Sequence, residues 1–261
     1  HRHPRHPRAG GAGLTGARPG VALVTGASRG IGAECAVALA RAGWDVGVTY
    51  AADRDGAEAT VAAVRDLGGG AVAVHLEAGD PASAALAVDA VEGGLGPLDA
   101  LVANAGTTAD GVALRMPDAQ WRAPLDVNLT GTFRAVRAVG ERMAARGSGS
   151  VVLLGSVVGT HGNAGQVNYS ASKAGMIGLM RTAARELGPA GVRVNLVAPG
   201  FILTRLTDVL PDDQRDALRR GAALDRLGTP EDVAGPVVFL CSAGASFIHG
   251  AVIEVDGGLA L

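Results

Sequence analysis

The chain has 261 residues, 48% of them hydrophobic, and a formal net charge of −2. That length and apolar content suit one large α/β domain, and an aromatic share of 3% means that Ala, Val and Leu must build its core. Residues 1–19 hold four arginines and no acid, which leaves 19 basic against 25 acidic residues, or −6, in the body; this argues against a nucleic-acid surface, and no apolar run is long enough to span a bilayer.

Residues 1–19 begin His1-Arg2-His3-Pro4-Arg5-His6 and continue rich in glycine without apolar periodicity, which reads as a disordered basic tail. No secretory leader pattern follows it, so a cytoplasmic protein is expected. From residue 21 short Val/Leu/Ala runs alternate with longer amphipathic stretches. Strands are predicted over 21–25, 46–50, 71–76, 100–103, 150–155, 193–198 and 252–255. Helices are predicted over 30–42, 53–67, 81–93, 118–145, 167–187 and 231–242, with a pair near 204–224. Strands without polar alternation suit a sheet buried on both faces, and the interleaved helices imply parallel crossovers. The expectation is α/β: a single-domain, Rossmann-like, doubly wound parallel sheet of about seven strands with helices on both faces, over 20–261. Cys35 and Cys241 fall in helical patterns and read as buried free thiols.

The motifs follow the same order. Gly26-Ala27-Ser28-Arg29-Gly30-Ile31-Gly32 joins the first strand to the first helix. Glycines there let backbone approach a pyrophosphate, and the helix N-terminus offers open N–H donors. At the end of the second strand an acid would bind an adenosine ribose diol. The chain has Ala51-Ala52 there, with Arg29 and Arg54 nearby, which favours a 2′-phosphate and hence NADPH. Asn104-Ala105-Gly106 leaves the fourth strand as a small, polar turn suited to packing against a ligand. Ser156 follows the fifth strand, and Tyr169 and Lys173, four apart, share one helix face. Lys173 is the single lysine beside 22 arginines. A compact ammonium does what a wide guanidinium cannot, and beside Tyr169 it is expected to lower the phenol's pKa toward the working range.

Taken together, the glycine turn, Asn104-Ala105-Gly106, Asn128, Ser156, Tyr169, Lys173 and Pro199-Gly200 resemble the short-chain dehydrogenase/reductase family over residues 20–261. Within it the stretches Gly155–Thr160, Lys173–Gly178, Ala198–Ile202 and Gly250–Gly258 are most similar to bacterial 3-oxoacyl-[acyl-carrier-protein] reductases.

The resemblance implies Tyr169 as general acid, Lys173 on the nicotinamide ribose, Ser156 on the substrate carbonyl, and Asn128 holding a water that relays protons to Lys173. It implies cofactor contacts from the glycine turn, Glu77, Ala78, Asn104, Ala105, Gly106, Pro199, Gly200, Ile202 and Thr204, with no metal. The family usually places Asp-Val where this chain has Glu77-Ala78, by the adenine. Residues 201–228, including Phe201, Ile202, Leu203, Leu206 and Leu210, would form a lid over the substrate. An acyl carrier protein would dock through basic residues: Arg134 matches one such position, Ala190 stands at the other, and Arg181, Arg185 and Arg193 are the alternatives. A homotetramer is implied. The readings carried forward are a 3-oxoacyl thioester reductase, a polyketide-pathway ketoreductase with the same chemistry, a reductase of free ketones, and a dinucleotide sensor without turnover.

Overall fold

The structure is a computed structural model and describes residues 19–204 and 212–260. The expected tail through residue 18, and Leu206 and Leu210 of the expected lid, lie outside the described residues.

Seven strands form one sheet: β1 Val21–Val24, β2 Asp45–Tyr50, β3 Ala71–His75, β4 Leu98–Ala103, β5 Gly149–Leu154, β6 Val192–Pro199 and β7 Val252–Val255. Every pairing is parallel, in the order β3-β2-β1-β4-β5-β6-β7. The connecting helices are α1 Gly30–Arg41, α2 Arg54–Asp66, α3 Ser83–Leu95, α4 Asp118–Pro124, α5 Gly131–Arg146, α6 Val158–His161, α7 Val167–Leu187, α8 Asp212–Gly221 and α9 Pro230–Cys241. The expected doubly wound parallel sheet is therefore the fold observed. The order reverses between β1 and β4, so loops leaving their carboxyl ends diverge and open a crevice.

The sheet is buried on both faces because its central strands are almost entirely Val, Leu and Ala: all four residues of β1 are buried, as are the last four of β4. One face packs against α1, α2 and α9, the other against α3, α5 and α7. Cys35 and Cys241 lie in the first of these layers as free, buried thiols, and burial pushes both up to about 12. Caps set several helix ends. The Asp53 carboxylate accepts the Gly56 N–H at 3.0 Å to open α2. Thr229 and Asp232 form a reciprocal capping box at α9, with Pro230 at its first position.

Two expectations change. The stretch 118–145 is not one helix: a π-helical segment, Leu125–Thr130, separates α4 from α5. Pro124 sits at the junction, and a residue without an N–H cannot continue the regular ladder. Pro124 is the trace that this break leaves in the sequence. Of the pair near 204–224, one helix, α8, is described; 205–211 lie outside the described residues.

Candidate active site

The crevice at the reversal point is a cleft of 2240 Å³. It is lined by Gly26, Ser28, Arg29, Gly30, Ile31, Gly32, Glu77, Ala78, Asn104, Ala105, Gly106, Ser156, Tyr169, Lys173, Pro199, Gly200, Ile202 and Thr204. Residues picked from separate stretches of the chain thus meet in one place. Ala27 and Asn128 do not line it; Ala27 is packed in the apolar core and Asn128 is buried behind the wall.

The glycine turn is held by its neighbours. The Thr25 hydroxyl oxygen accepts the N–H groups of Asn104 and Ala105, each at 3.0 Å. The Asn104 amide donates back to the carbonyls of Thr25 and Gly26. The Thr49 hydroxyl oxygen accepts the Gly26 N–H at 3.2 Å. This stitching explains two glycines. A Cβ on Gly26 (φ +62°) would stand 2.8 Å from the Ala105 Cα, and one on Gly32 would stand 2.4 Å from the Asn104 Nδ2. Bare backbone thus faces the cleft at the mouth of α1, and no side chain caps that helix. Open N–H donors beside a glycine cradle fit the pyrophosphate of a dinucleotide. Arg29 is exposed on the cleft rim. Asp53, the acid nearest the end of β2, is occupied by the α2 cap.

The catalytic candidates gather on the opposite wall. Lys173 is 5% exposed; its Nζ donates to the Leu154 carbonyl at 2.7 Å and stands 5.6 Å from the Tyr169 ring centroid. Burial pulls this ammonium down to about 8. The Tyr169 phenol moves the other way from expectation. Burial raises it above its ordinary value, a hydrogen bond with the Ser156 hydroxyl lowers it, and the Asp110 charge raises it again. Burial is the largest of these influences, and the Lys173 ammonium is held by the Leu154 carbonyl. Ser156 is fixed by the Val158 N–H at 3.2 Å and donates to the Pro199 carbonyl at 3.4 Å.

Asn128 lies in the π-helical segment, and its side chain is fully engaged. The amide donates to the Thr107 carbonyl and the Ser172 Oγ, each at 3.0 Å, and its oxygen accepts the Thr107 N–H at 2.7 Å. Any relay through this residue must therefore use its main chain. Ser172 in turn donates to the Tyr169 carbonyl at 2.7 Å. Glu77 binds the Gly79 N–H through its side chain, and the Ala78 carbonyl accepts from Arg134. Arg134 is thereby a strut between α5 and the loop after β3. Of its alternatives, Arg193 is half-buried and donates to the Ser242 carbonyl, while Arg181 and Arg185 are exposed.

Sequence reasoning gives no role to Thr25, which opens the glycine-turn motif, nor to Thr49, Asp110, His161, Gln166, Asn168 and Ser172. Asp110, His161 and Gln166 line the cleft near Tyr169, and Gln166 donates to both Asp110 carboxylate oxygens at 3.1 Å. Only Thr25 carried a sequence signal, its place directly before the glycine turn. The others are single polar residues scattered over a strand, helices and loops, where such residues are ordinary. Among the described residues no group of three His, Cys, Asp or Glu could hold a metal, and no helix is long and apolar enough to cross a membrane.

Residues 26–260 match the sequence profile of the Enoyl-(Acyl carrier protein) reductase family. The chain is 42% identical over 238 residues to the 3-oxoacyl-[acyl-carrier-protein] reductase FabG of Staphylococcus epidermidis, covering 91% of this chain and 98% of the relative. It is 42% identical over 240 residues to the Escherichia coli protein of the same name, covering 92% and 96%. A solved structure, that of a short-chain alcohol dehydrogenase from Sinorhizobium meliloti, superposes with a TM-score of 0.89 at 37% identity, covering 93% of this chain and 97% of that one.

Proposed function

The chain belongs to the short-chain dehydrogenase/reductase family, oxidoreductases of the carbonyl/alcohol couple, and on that premise we propose that it is an NADPH-dependent 3-oxoacyl thioester reductase whose substrate rides on acyl carrier protein. The observation that carries the chemistry is that Ser156 and Tyr169 line one cleft beside the buried Lys173, whose Nζ stands 5.6 Å from the Tyr169 ring centroid. Two donors converging on one oxygen suit a ketone, whose product takes its proton on oxygen. Reduction of a C=C bond delivers that proton to carbon instead. The thioester substrate is supported by the names of relatives 42% identical along more than nine-tenths of the chain.

The cofactor's pyrophosphate would rest on the glycine turn and the open end of α1, its 2′-phosphate by Arg29, and its adenine by Glu77 and Ala78. Its nicotinamide end would lie along Asn104–Gly106, Pro199, Gly200, Ile202 and Thr204. When bound, NADPH supplies the hydride. The chain supplies the rest. Ser156 orients the carbonyl oxygen by a hydrogen bond. Tyr169 keeps its proton at neutral pH, because its pKa lies above the ordinary phenol value, and gives it up as charge develops on that oxygen. Lys173, titrating at about 8, is mostly an ammonium at neutral pH and lies over the ring face, where it favours the phenolate left behind. The Asn128 main chain would hold the water that returns a proton to Lys173.

Residues 20–261 are read as one reductase domain in the cytoplasm. Exposed Trp121, Phe133, Phe239 and Phe247 on and beside the long helices favour a homotetramer. The test is a steady-state assay of acetoacetyl thioester on carrier protein against a free ketone, with both reduced cofactors. The carrier-bound thioester with NADPH is expected to give the highest kcat/KM; a higher value for the free ketone overturns the substrate. Tyr169→Phe should lower kcat by ~10² or more while NADPH still binds.

A further inference from the structure

We propose that Asn168 is the positioning residue that aims Tyr169, and that Pro124 creates its anchor. The proposal rests on the reading of Tyr169 as the general acid. Asn168 is fully buried. Its Nδ2 donates to the carbonyls of Ala109 and Gln120, both at 2.8 Å, and its Oδ1 accepts the Tyr169 N–H at 2.8 Å. One side chain therefore ties the catalytic tyrosine's own backbone to the loop after β4 and to α4.

Each of these bonds meets a need set by the sequence. The Gln120 carbonyl would normally be taken by the N–H four residues on, but that residue is Pro124, which has none. The Tyr169 N–H is in the first turn of α7, where no intrahelical acceptor exists. The residue before that helix, Gln166, does not cap it: its Oε1 accepts from the Asn163 amide at 2.9 Å, and its Nε2 donates to Asp110. Asn168 meets both needs at once, and an amide is the side chain that can: it needs an acceptor facing one way and two donor hydrogens facing the other.

The loop so anchored is the continuation of Asn104-Ala105-Gly106. It is further fixed by Gln120, whose amide donates to Ala109 and Asp110, and by the Gly111 N–H donating to Gly165 at 2.7 Å. Asn168 thus sets the distance between the tyrosine and the strand exit that carries cofactor contacts. Misplacing a proton donor by about 1 Å costs on the order of 10²-fold in rate.

The experiment compares wild type with Asn168→Ala, Asn168→Asp, Pro124→Ala and the double variant Pro124→Ala/Asn168→Ala. The readouts are kcat per NADPH-titrated site, KM for an acetoacetyl thioester, and NADPH Kd. Asn168→Ala should lower kcat by ~10²-fold with KM and Kd within about two-fold of wild type. Asn168→Asp keeps the acceptor but loses the donors and should be as slow. Pro124→Ala returns an N–H to the Gln120 carbonyl, so the double variant should fold even where Asn168→Ala does not, and it should still be slow, since Tyr169 has lost its anchor. Near-normal kcat in Asn168→Asp or in the double variant overturns the proposal. So does a parallel loss of kcat and NADPH binding, the mark of a merely structural residue. Tyr169→Phe run alongside separates the two failures: if it retains turnover, Tyr169 is not the acid and the proposal falls with that reading, whereas a dead Tyr169→Phe beside an active Asn168→Ala removes Asn168 alone.

Discussion

Replacing Lys173 by methionine should stabilise the protein while abolishing reduction. Lys173 has a pKa of about 8 in the fold against an ordinary 10.5, and the cause is burial of its charge. A folded-state pKa below the unfolded value means that the folded state binds the proton less well. Folding therefore costs free energy wherever the unfolded lysine is protonated. The cost is complete below about pH 8, where both states are charged, and fades between 8 and 10.5 as the folded lysine, then the unfolded one, loses its proton. At about 1.4 kcal/mol per unit, the shift corresponds to about 3 kcal/mol at neutral pH. Methionine matches the length, carries no charge and forfeits the bond to the Leu154 carbonyl, which offsets about 1 kcal/mol. The variant should thus gain about 2 kcal/mol at pH 7, or roughly 4–8 °C in Tm for a chain of this size. The assay is urea unfolding of both proteins by circular dichroism at pH 7, 9 and 10.5, at one fixed protomer concentration. The gap should be widest at pH 7 and close as pH rises, while titrations common to both proteins cancel. A gap that does not change with pH, or a variant less stable at pH 7, would refute the burial argument.

Arg29→Ala should weaken NADPH binding by about 10-fold or more and leave NADH nearly unchanged, because a charge-assisted phosphate contact is worth about 1.5–3 kcal/mol; equal losses in fluorescence titrations of both cofactors would contradict the 2′-phosphate assignment. For the proposed carrier-bound substrate, Arg137, exposed and stacked on Phe133 at 5.2 Å, is the expected centre of the docking patch. Arg137→Glu should raise KM for the carrier-bound substrate alone, whereas Arg134→Ala should impair both substrates, since it cuts the tie to Ala78. Light scattering at micromolar concentration should give four times the mass of one chain, and a monomer would count against the subunit contacts.

The alternation of apolar runs with amphipathic stretches determined the doubly wound sheet, because a strand buried on both faces and a helix buried on one leave different periods in any sequence that folds this way. The glycine turn, Ser156, and Tyr169 with Lys173 were legible for a related reason: their spacing is local, set by a strand-to-helix turn or by a single helix face. Tertiary structure decided what depends on distant segments meeting. Arg134 reads as a surface cation on its helix, yet it is a strut, because the loop carrying Ala78 comes to lie beside it. Tyr169 beside Lys173 reads as an activated phenol, yet burial raises it, since desolvation is a property of the assembled wall and not of two residues four apart. Asn168 and Pro124 are far apart in the chain and carry no joint pattern. Only when α4 packs against α7 does the N–H that one lacks become the bond that the other makes.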